Sequence, residues 1–425
     1  MIATPYLVRP LAAGGSPLTF AQAARAYQFP TTRADGRALT GAGQKVAIVE
    51  LGGAFSSADF EQFCAQTGIT PPSVTVTRVN GATITPDPGG ANVEVMLDVE
   101  AVAAVAPGAD IELIFADNTD DGFLAAFEAA LASGACVVSC SWGGPGSSWP
   151  PARMQRFDAV FARALAAGIL VCCAAGDAGM NDGTSGPVAD FPCSSPHVIA
   201  CGGTRLILDS AGGRLSETVW DDGASSATGG GVSSVFPAPP WQAALGLTMR
   251  AVPDVAGNAD PVTGFEIVAD GQPAVAGGTS GIAPVYAGLI ALLAELGVTP
   301  DQFAVFASVL YGHPVCTDIT SGGAGDVYPP STGYDESSGM GVVIGTALAA
   351  ALTGTPAPTP SPTPAPVPPP APVPTPTPPP ANDADAVLWQ HVHTWAHETH
   401  FGESAAVARA LRVWASARGY HRAAA

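Results

Sequence analysis

The chain has 425 residues, 47% of them apolar and only 12% charged. Lys and Arg total 16 against 36 Asp and Glu, a formal charge of −20, and Lys45 is the only lysine. That balance argues against nucleic-acid binding, which needs clustered cations, and no run reaches the ~20 apolar residues of a membrane span.

Residues 1–13 read as an N-terminal extension. MIATPYLVRPLAAGG lacks the basic start and long apolar stretch of a secretory signal. From residue 14 to 352 strand and helix signals alternate. KVAIVELGG (45–53) reads as a buried strand ending in glycines, and VEVMLDVEAVAAVAP (93–107) as a helix closed by Pro107. DIELIFAD (110–117) predicts a strand and DGFLAAFEAALASG (121–134) a helix. ACVVSCSWGG (135–144) reads as one strand, MQRFDAVFARALAAG (154–168) as a helix, and ILVCCAAGD (169–177) as the next strand. This alternation predicts an α/β fold with a doubly wound, mostly parallel sheet and helices on both faces. Sites in such folds form at the carboxyl ends of strands. Glu50, Trp142 and Asp177 fall at such ends.

Composition breaks sharply after the body. Residues 353–382 form a Pro-rich linker expected to stay extended as a semi-rigid spacer. In the tail, 383–425, Leu388, Val392 and Trp395, then Val407, Leu411 and Trp414, recur at i, i+4, i+7, which predicts a short helical hairpin that could dock to an unknown partner. His393, His397 and His400 share that spacing as possible metal ligands, but HETH is not the zinc-peptidase HExxH, and solvated histidines are the plainer account. None of the eight cysteines forms a CxxC pair, so a zinc site is disfavoured. Four of them sit in apolar runs and read as buried thiols rather than bridges.

The sharpest local signal is GGTSGIAPVYAGLIALLAEL (277–296), a turn running into an apolar helix. It puts Ser280 at a helix N-terminus, where free N–H groups favour developing negative charge. Ser280 is either a nucleophile or, like Thr279, only an N-cap. A serine nucleophile needs a base. The body holds only His197 and His313, neither in a turn that suits the role. Carboxylates are better supplied. Glu94 and Asp98 are four apart on one predicted helix and face the same way. Either they form a solvated acidic face, or, since Val93, Val95, Leu97, Val99 and Val102 surround them, at least one is buried and the pair shares a proton. Asp177 closes an apolar strand; it is a turn residue, or, protonated, a donor to an oxyanion.

With these residues in view the chain resembles the sedolisins, the serine-carboxyl peptidases, and among them the kumamolisin type. The resemblance covers roughly 14–352. It rests on VAIVELGGAF (46–55), VEVMLDVEAVAAVAPGA (93–109), VVSCSWGGP (137–145), AAGDAG (174–179), DFPCSSPHVIACGGT (190–204), TGGGVSSVFP (228–237), VPDVAGNADP (252–261) and GGTSGIAP (277–284), in family order. It implies a subtilisin-like fold and an acid-active endopeptidase with an acyl-enzyme. It implies Ser280 as nucleophile, Glu94 as general base and acid, Asp98 as the residue orienting Glu94, and Asp177 in the oxyanion hole. It further implies Glu50 and Trp142 as an outer hydrogen-bonding shell, and Asp190 as a substrate-pocket acid favouring basic side chains. TDITSGG (317–323) and PSTGYDESSG (330–339) resemble the family's calcium loop. One structural Ca2+ is implied, held by carboxylates of Asp318 and Asp335 and carbonyls of Ile319, Ser331 and Gly333. Protein or peptide substrates and an extracellular setting are implied too. Family members usually carry a long N-terminal prosegment, for which this sequence shows no counterpart. The rival readings are a catalytically impaired peptide-binding relative and an adhesion protein whose tail does the work.

Overall fold

A computed structural model describes residues 3–5, 16–33, 35–223, 226–323 and 327–354. The Pro-rich linker beyond 354 and the expected hairpin of 383–425, with its three histidines, lie outside the described residues, as does most of the 1–13 extension.

In chain order come β1 (Thr4–Pro5), α1 (Phe20–Ala26), β2 (Lys45–Glu50), α2 (Ser57–Thr67), β3 (Val74–Arg78), α3 (Ala91–Val105), β4 (Asp110–Phe115) and α4 (Asp120–Ala132). Next are β5 (Val137–Cys140), β6 (Trp142–Pro145), α5 (Pro151–Ala166), β7 (Leu170–Ala174), β8 (Asp190–Phe191), β9 (Ile199–Leu208) and β10 (Arg214–Val219). A ribbon of β11 (Gly231–Pro237) and β12 (Met249–Val252) flanks α6 (Pro240–Ala243). Then follow β13 (Val255–Asn258), the hairpin β14 (Phe265–Ala269) and β15 (Gln272–Ala276), and α7 (Ile282–Glu295).

Eight strands form the main sheet in the order β10-β9-β7-β5-β2-β4-β3, with β13 beside β9. All pairings are parallel except β10 on β9. The central strands are apolar throughout because helices cover both faces: β5 and β7 are buried at every residue and β2 at all but Lys45. One face packs on α3 and α7, the other on α4 and α5, which gives two apolar clusters.

The expected single strand over 135–144 is corrected by the structure. It splits at Ser141 into β5, in the main sheet, and β6, in a separate sheet of order β1-β6-β8. Ser141 belongs to neither strand.

α3 is buried on nearly every side, the expected state of a helix apolar all round. It is flanked by the sheet, α2, the β14–β15 hairpin and α7. Its approach to α7 is close: a Cβ on Gly288 of α7 would lie 2.7 Å from the Val105 side chain. This packing seats Glu94, Asp98 and Glu100 in the interior, each 0% exposed.

Candidate active site

The nucleophile turn sits between β15 and α7. Gly278 has φ +121°, which only glycine adopts without strain. It delivers a short 3-10 turn, Thr279–Gly281, into α7. Neither Thr279 nor Ser280 caps the helix; its N-cap is Gly281 and no side chain bonds there. Thr279 instead faces Asp177, beyond the carboxyl end of β7. The Thr279 amide donates to Asp177 Oδ1 at 2.7 Å and its hydroxyl donates to the same oxygen at 2.8 Å. The Gly176 amide in turn donates to Thr279 Oγ1 at 3.0 Å. Two donors on Oδ1 make it the acceptor oxygen, so a proton on this carboxyl belongs on Oδ2.

Glu94 and Asp98 lie one turn apart on α3. Burial pushes Glu94 well above the usual carboxylate range, and the charge of Asp98 adds to the rise. The Ser280 hydroxyl acts the other way, through a hydrogen-bonding interaction that favours the ionised form. Full hydrogen-bond geometry is not reached at either Glu94 oxygen or at Ser280 Oγ. The three atoms are buried and adjacent but not locked, as is common at a site awaiting its reactant.

Asp98 is raised by burial and lowered by Ser141. The Ser141 hydroxyl lies 2.9 and 2.8 Å from the two Asp98 oxygens and 3.3 Å from the Ser280 carbonyl oxygen. It therefore ties the acid pair to the backbone of the serine. Glu50, at the end of β2, accepts a 3.0 Å bond from Trp142 Nε1. Burial, then the nearby Asp98, raise its pKa, against the pull of Trp142. Three buried carboxyls thus share one pocket. Like charges so close cannot all ionise, so they titrate as one coupled cluster.

The structure brings together Ser280, Glu94, Asp98, Asp177, Glu50 and Trp142. Asp190 stands apart, buried on β8 opposite Pro145 of β6. It interacts with Asp182, whose own carboxyl is raised by burial and lowered by Asp190. Sequence reasoning did not single out Ser141. It took Thr279 for a cap candidate and did not see its tie to Asp177. A serine directly before Trp142 and a threonine directly before Ser280 were the available signals. Among the described residues no hydrogen bond joins a histidine to Ser280. His197 Nδ1 pairs with Asp158 at 2.8 Å, and His313 is exposed at a helix end. All eight cysteines are free thiols, six of them buried.

The calcium-loop residues lie in two neighbouring segments. The Gly333 amide donates to Asp318 Oδ2 and the Ser331 amide to Asp335 Oδ2, both at 2.8 Å. Ser338 Oγ bridges the Ile319 carbonyl and Asp335 Oδ1. Asp318 Oδ1 is buried without a hydrogen bond. An orphaned buried carboxylate oxygen fits an oxygen-seeking cation. With two carboxylates the loop is not a cluster of three acidic, His or Cys ligands, and none occurs among the described residues.

Residues 79–303 match the family model described as "Subtilase family". The chain belongs to that family. Within it the relatives are sedolisins. The chain is 43% identical to kumamolisin of Bacillus sp. (strain MN-32) over 353 residues, 77% of this chain and 62% of kumamolisin. It is 32% identical to sedolisin of Pseudomonas sp. (strain 101) over 350 residues, 74% of this chain and 58% of that protein. It therefore spans about three fifths of the length of these relatives. The solved structure of Pseudomonas sedolisin (serine-carboxyl proteinase), complexed with two molecules of pseudo-iodotyrostatin, superposes with TM-score 0.72 at 28% identity. That match covers 80% of this chain and 99% of the sedolisin chain. The subtilisin-like α/β fold and the sedolisin membership follow.

Proposed function

We propose that this chain is an acid-active serine-carboxyl endopeptidase that cuts protein or peptide substrates through a Ser280–Glu94–Asp98 triad and an acyl-enzyme. The observation that carries the reading is a buried serine hydroxyl beside a buried pair of acids, with no imidazole bonded to it among the described residues. Sedolisin and kumamolisin kinship supports the same chemistry. Glu94 takes the Ser280 proton as Oγ forms its bond to the scissile carbonyl carbon. The proton on Asp177 Oδ2 and the Ser280 amide stabilise the oxyanion. Glu94 then passes its proton to the leaving amine as the C–N bond breaks. Water enters, gives a proton to Glu94, attacks the acyl carbon, and Ser280 is released with its proton restored.

Asp98 orients Glu94, with Ser141 and the Glu50–Trp142 pair behind it, and Glu94 must be ionised to take the serine proton. A carboxylate ordinarily ionises at about 4.3 and an imidazole at about 6.5, while burial moves Glu94 upward from its ordinary value. Asp177 can donate only while protonated. Activity is therefore expected to peak in acid and fall toward neutrality. Asp190 is the candidate acid for a basic substrate side chain. Asp318 and Asp335, with the carbonyls of Ile319, Ser331 and Gly333, would hold a calcium ion that cross-links the two loop segments. The test is hydrolysis of a denatured protein across pH 2–8, wild type beside Ser280→Ala and Glu94→Gln. Maximal activity at pH 8 with little in acid, or full activity in either variant, refutes the proposal.

A further inference from the structure

Ser141 occupies the gap between β5 and β6, beside the reacting groups yet outside the triad. It is fully buried. Its hydroxyl stands 2.9 and 2.8 Å from the two Asp98 oxygens and 3.3 Å from the Ser280 carbonyl oxygen. A hydroxyl has one hydrogen to give, so it serves one of these acceptors at a time. The carbonyl is a real competitor for it. In an α-helix the amide four residues on would take that carbonyl, but here the residue is Pro284, which has no N–H. Among the described residues no other hydrogen bond reaches the Asp98 carboxyl, and none with full geometry reaches Glu94.

Burial sets the chemistry a difficulty that this hydroxyl meets. Glu94 must be ionised to act as a base, yet Glu94 and Asp98 are both buried, and burial favours the neutral form of each. The groups facing the pair add to the difficulty. Glu50 on β2 and Asp177 beyond β7 are both acids. Among the described residues no salt bridge brings a cation to either member. What remains to stabilise the charged form is a hydrogen bond given to it. The Ser280 hydroxyl favours ionised Glu94, but its hydrogen is the one that leaves in the reaction. The Ser141 hydrogen is not consumed.

We propose that Ser141 is a positioning residue of the acid pair: its hydroxyl swings from the Ser280 carbonyl to Asp98 as the pair takes on one negative charge, and so keeps the base ionised in acid. It acts through Asp98 and touches no atom that reacts. Its meaning for catalysis rests on the peptidase reading above, whereas its effect on the charge of the pair can be read without catalysis. A hydrogen bond to a charged group changes an ionisation constant by roughly tenfold or more, which is about one pH unit.

Two variants of the full chain test this: Ser141→Ala, which removes the hydrogen, and Ser141→Thr, which keeps it. The first readout is the pH profile of kcat/KM for an internally quenched peptide. Its acid limb follows ionisation of the pair, and its alkaline limb follows loss of the Asp177 proton. In Ser141→Ala the acid limb is expected to move up by roughly one pH unit while the alkaline limb stays in place. In Ser141→Thr the acid limb should return. The second readout is an NMR titration of isotope-labelled side-chain carboxyls in the Ser280→Ala protein, with and without Ser141→Ala. The Asp98 carbon is assigned by its loss in Asp98→Asn, and its first midpoint should rise by the same amount. If kcat or melting temperature drops while limb and midpoint stay put, Ser141 is only a structural contact and the inference is overturned. If the midpoint rises but the wild type hydrolyses nothing from pH 2 to 8, the role of Ser141 stands and the peptidase reading fails. If the wild type hydrolyses peptide in acid and neither limb nor midpoint moves, the reverse holds. Should Ser141→Ala not fold, Ser141→Cys, whose thiol is a weak donor, decides by the same upward shift.

Discussion

Glu100 offers a test of how this fold handles protons that does not touch the reacting atoms. It is the third acid buried on α3, two residues beyond Asp98. Burial pushes its carboxyl from an ordinary 4.5 up to about 9. The Val268 amide, donating to Oε2 at 3.0 Å, pulls it down, and Asp59 on α2 adds to the rise. Cys64, also on α2, is itself raised to about 11 by burial and then by Glu100. In the folded chain Glu100 keeps its proton through neutrality, whereas unfolded it ionises in acid. The unfolded state binds fewer protons across that window, so its share of stability is fully present below about pH 4.5 and drains away as pH rises toward 9. Each pH unit is worth about 1.4 kcal/mol, so from pH 5 to 8 Glu100 alone removes about 4 kcal/mol as an upper bound. Glu100→Gln keeps the shape and the Val268 bond but cannot ionise. Urea unfolding, with Ser280→Ala in both chains to prevent self-digestion, should give similar midpoints at pH 5. At pH 8 the Gln chain should be more stable by a few kcal/mol. Parallel stability curves for the two chains across this range refute the reasoning.

Ser280→Ala and Glu94→Gln should each lower kcat by roughly 10⁴-fold with thermal stability held, read by peptide hydrolysis in acid. Thr279→Val removes the hydroxyl that fixes Asp177 Oδ1; kcat should fall roughly 10- to 100-fold with KM little changed, and Thr279→Ser should recover most of it. A calcium chelator should lower the melting temperature of the wild type. Asp318→Ala should lower it equally and make it insensitive to the chelator, and no response in either sample argues against the calcium site.

Much of the framework was legible because its signals are local. Parallel strands covered on both faces are apolar from end to end, as in β2 and β7, and a helix as apolar as α3 has no exposed face to offer. The turn ahead of α7 was visible as Gly-Gly-Thr-Ser. What the sequence hid were side chains whose partners lie far along the chain. Ser141 looks like part of a strand, yet its bonds go to Asp98 and Ser280, 43 and 139 residues away. Thr279 has the composition of a cap, but its hydroxyl reaches Asp177, 102 positions earlier. The pairing of Thr4 with Gly143 has no short-range signal at all. Periodicity also could not say how completely the acids of α3 are buried, because that depends on how closely Gly288 lets α7 approach.

The three acids of α3 set the direction in which stability responds to pH. An acid buried without a cation is tolerated only in its neutral form. Among the described residues no salt bridge reaches Glu50, Glu94, Asp98 or Glu100. Each is raised by burial first, and each therefore costs the fold more as the medium becomes neutral. A histidine base in the place of Glu94 would reverse the sign for that group, since burial lowers an imidazole and acid would then destabilise it. A fold that buries a carboxyl cluster at its centre thus holds together best where those carboxyls keep their protons. The −20 formal charge adds to this, because self-repulsion among the remaining carboxylates also fades in acid.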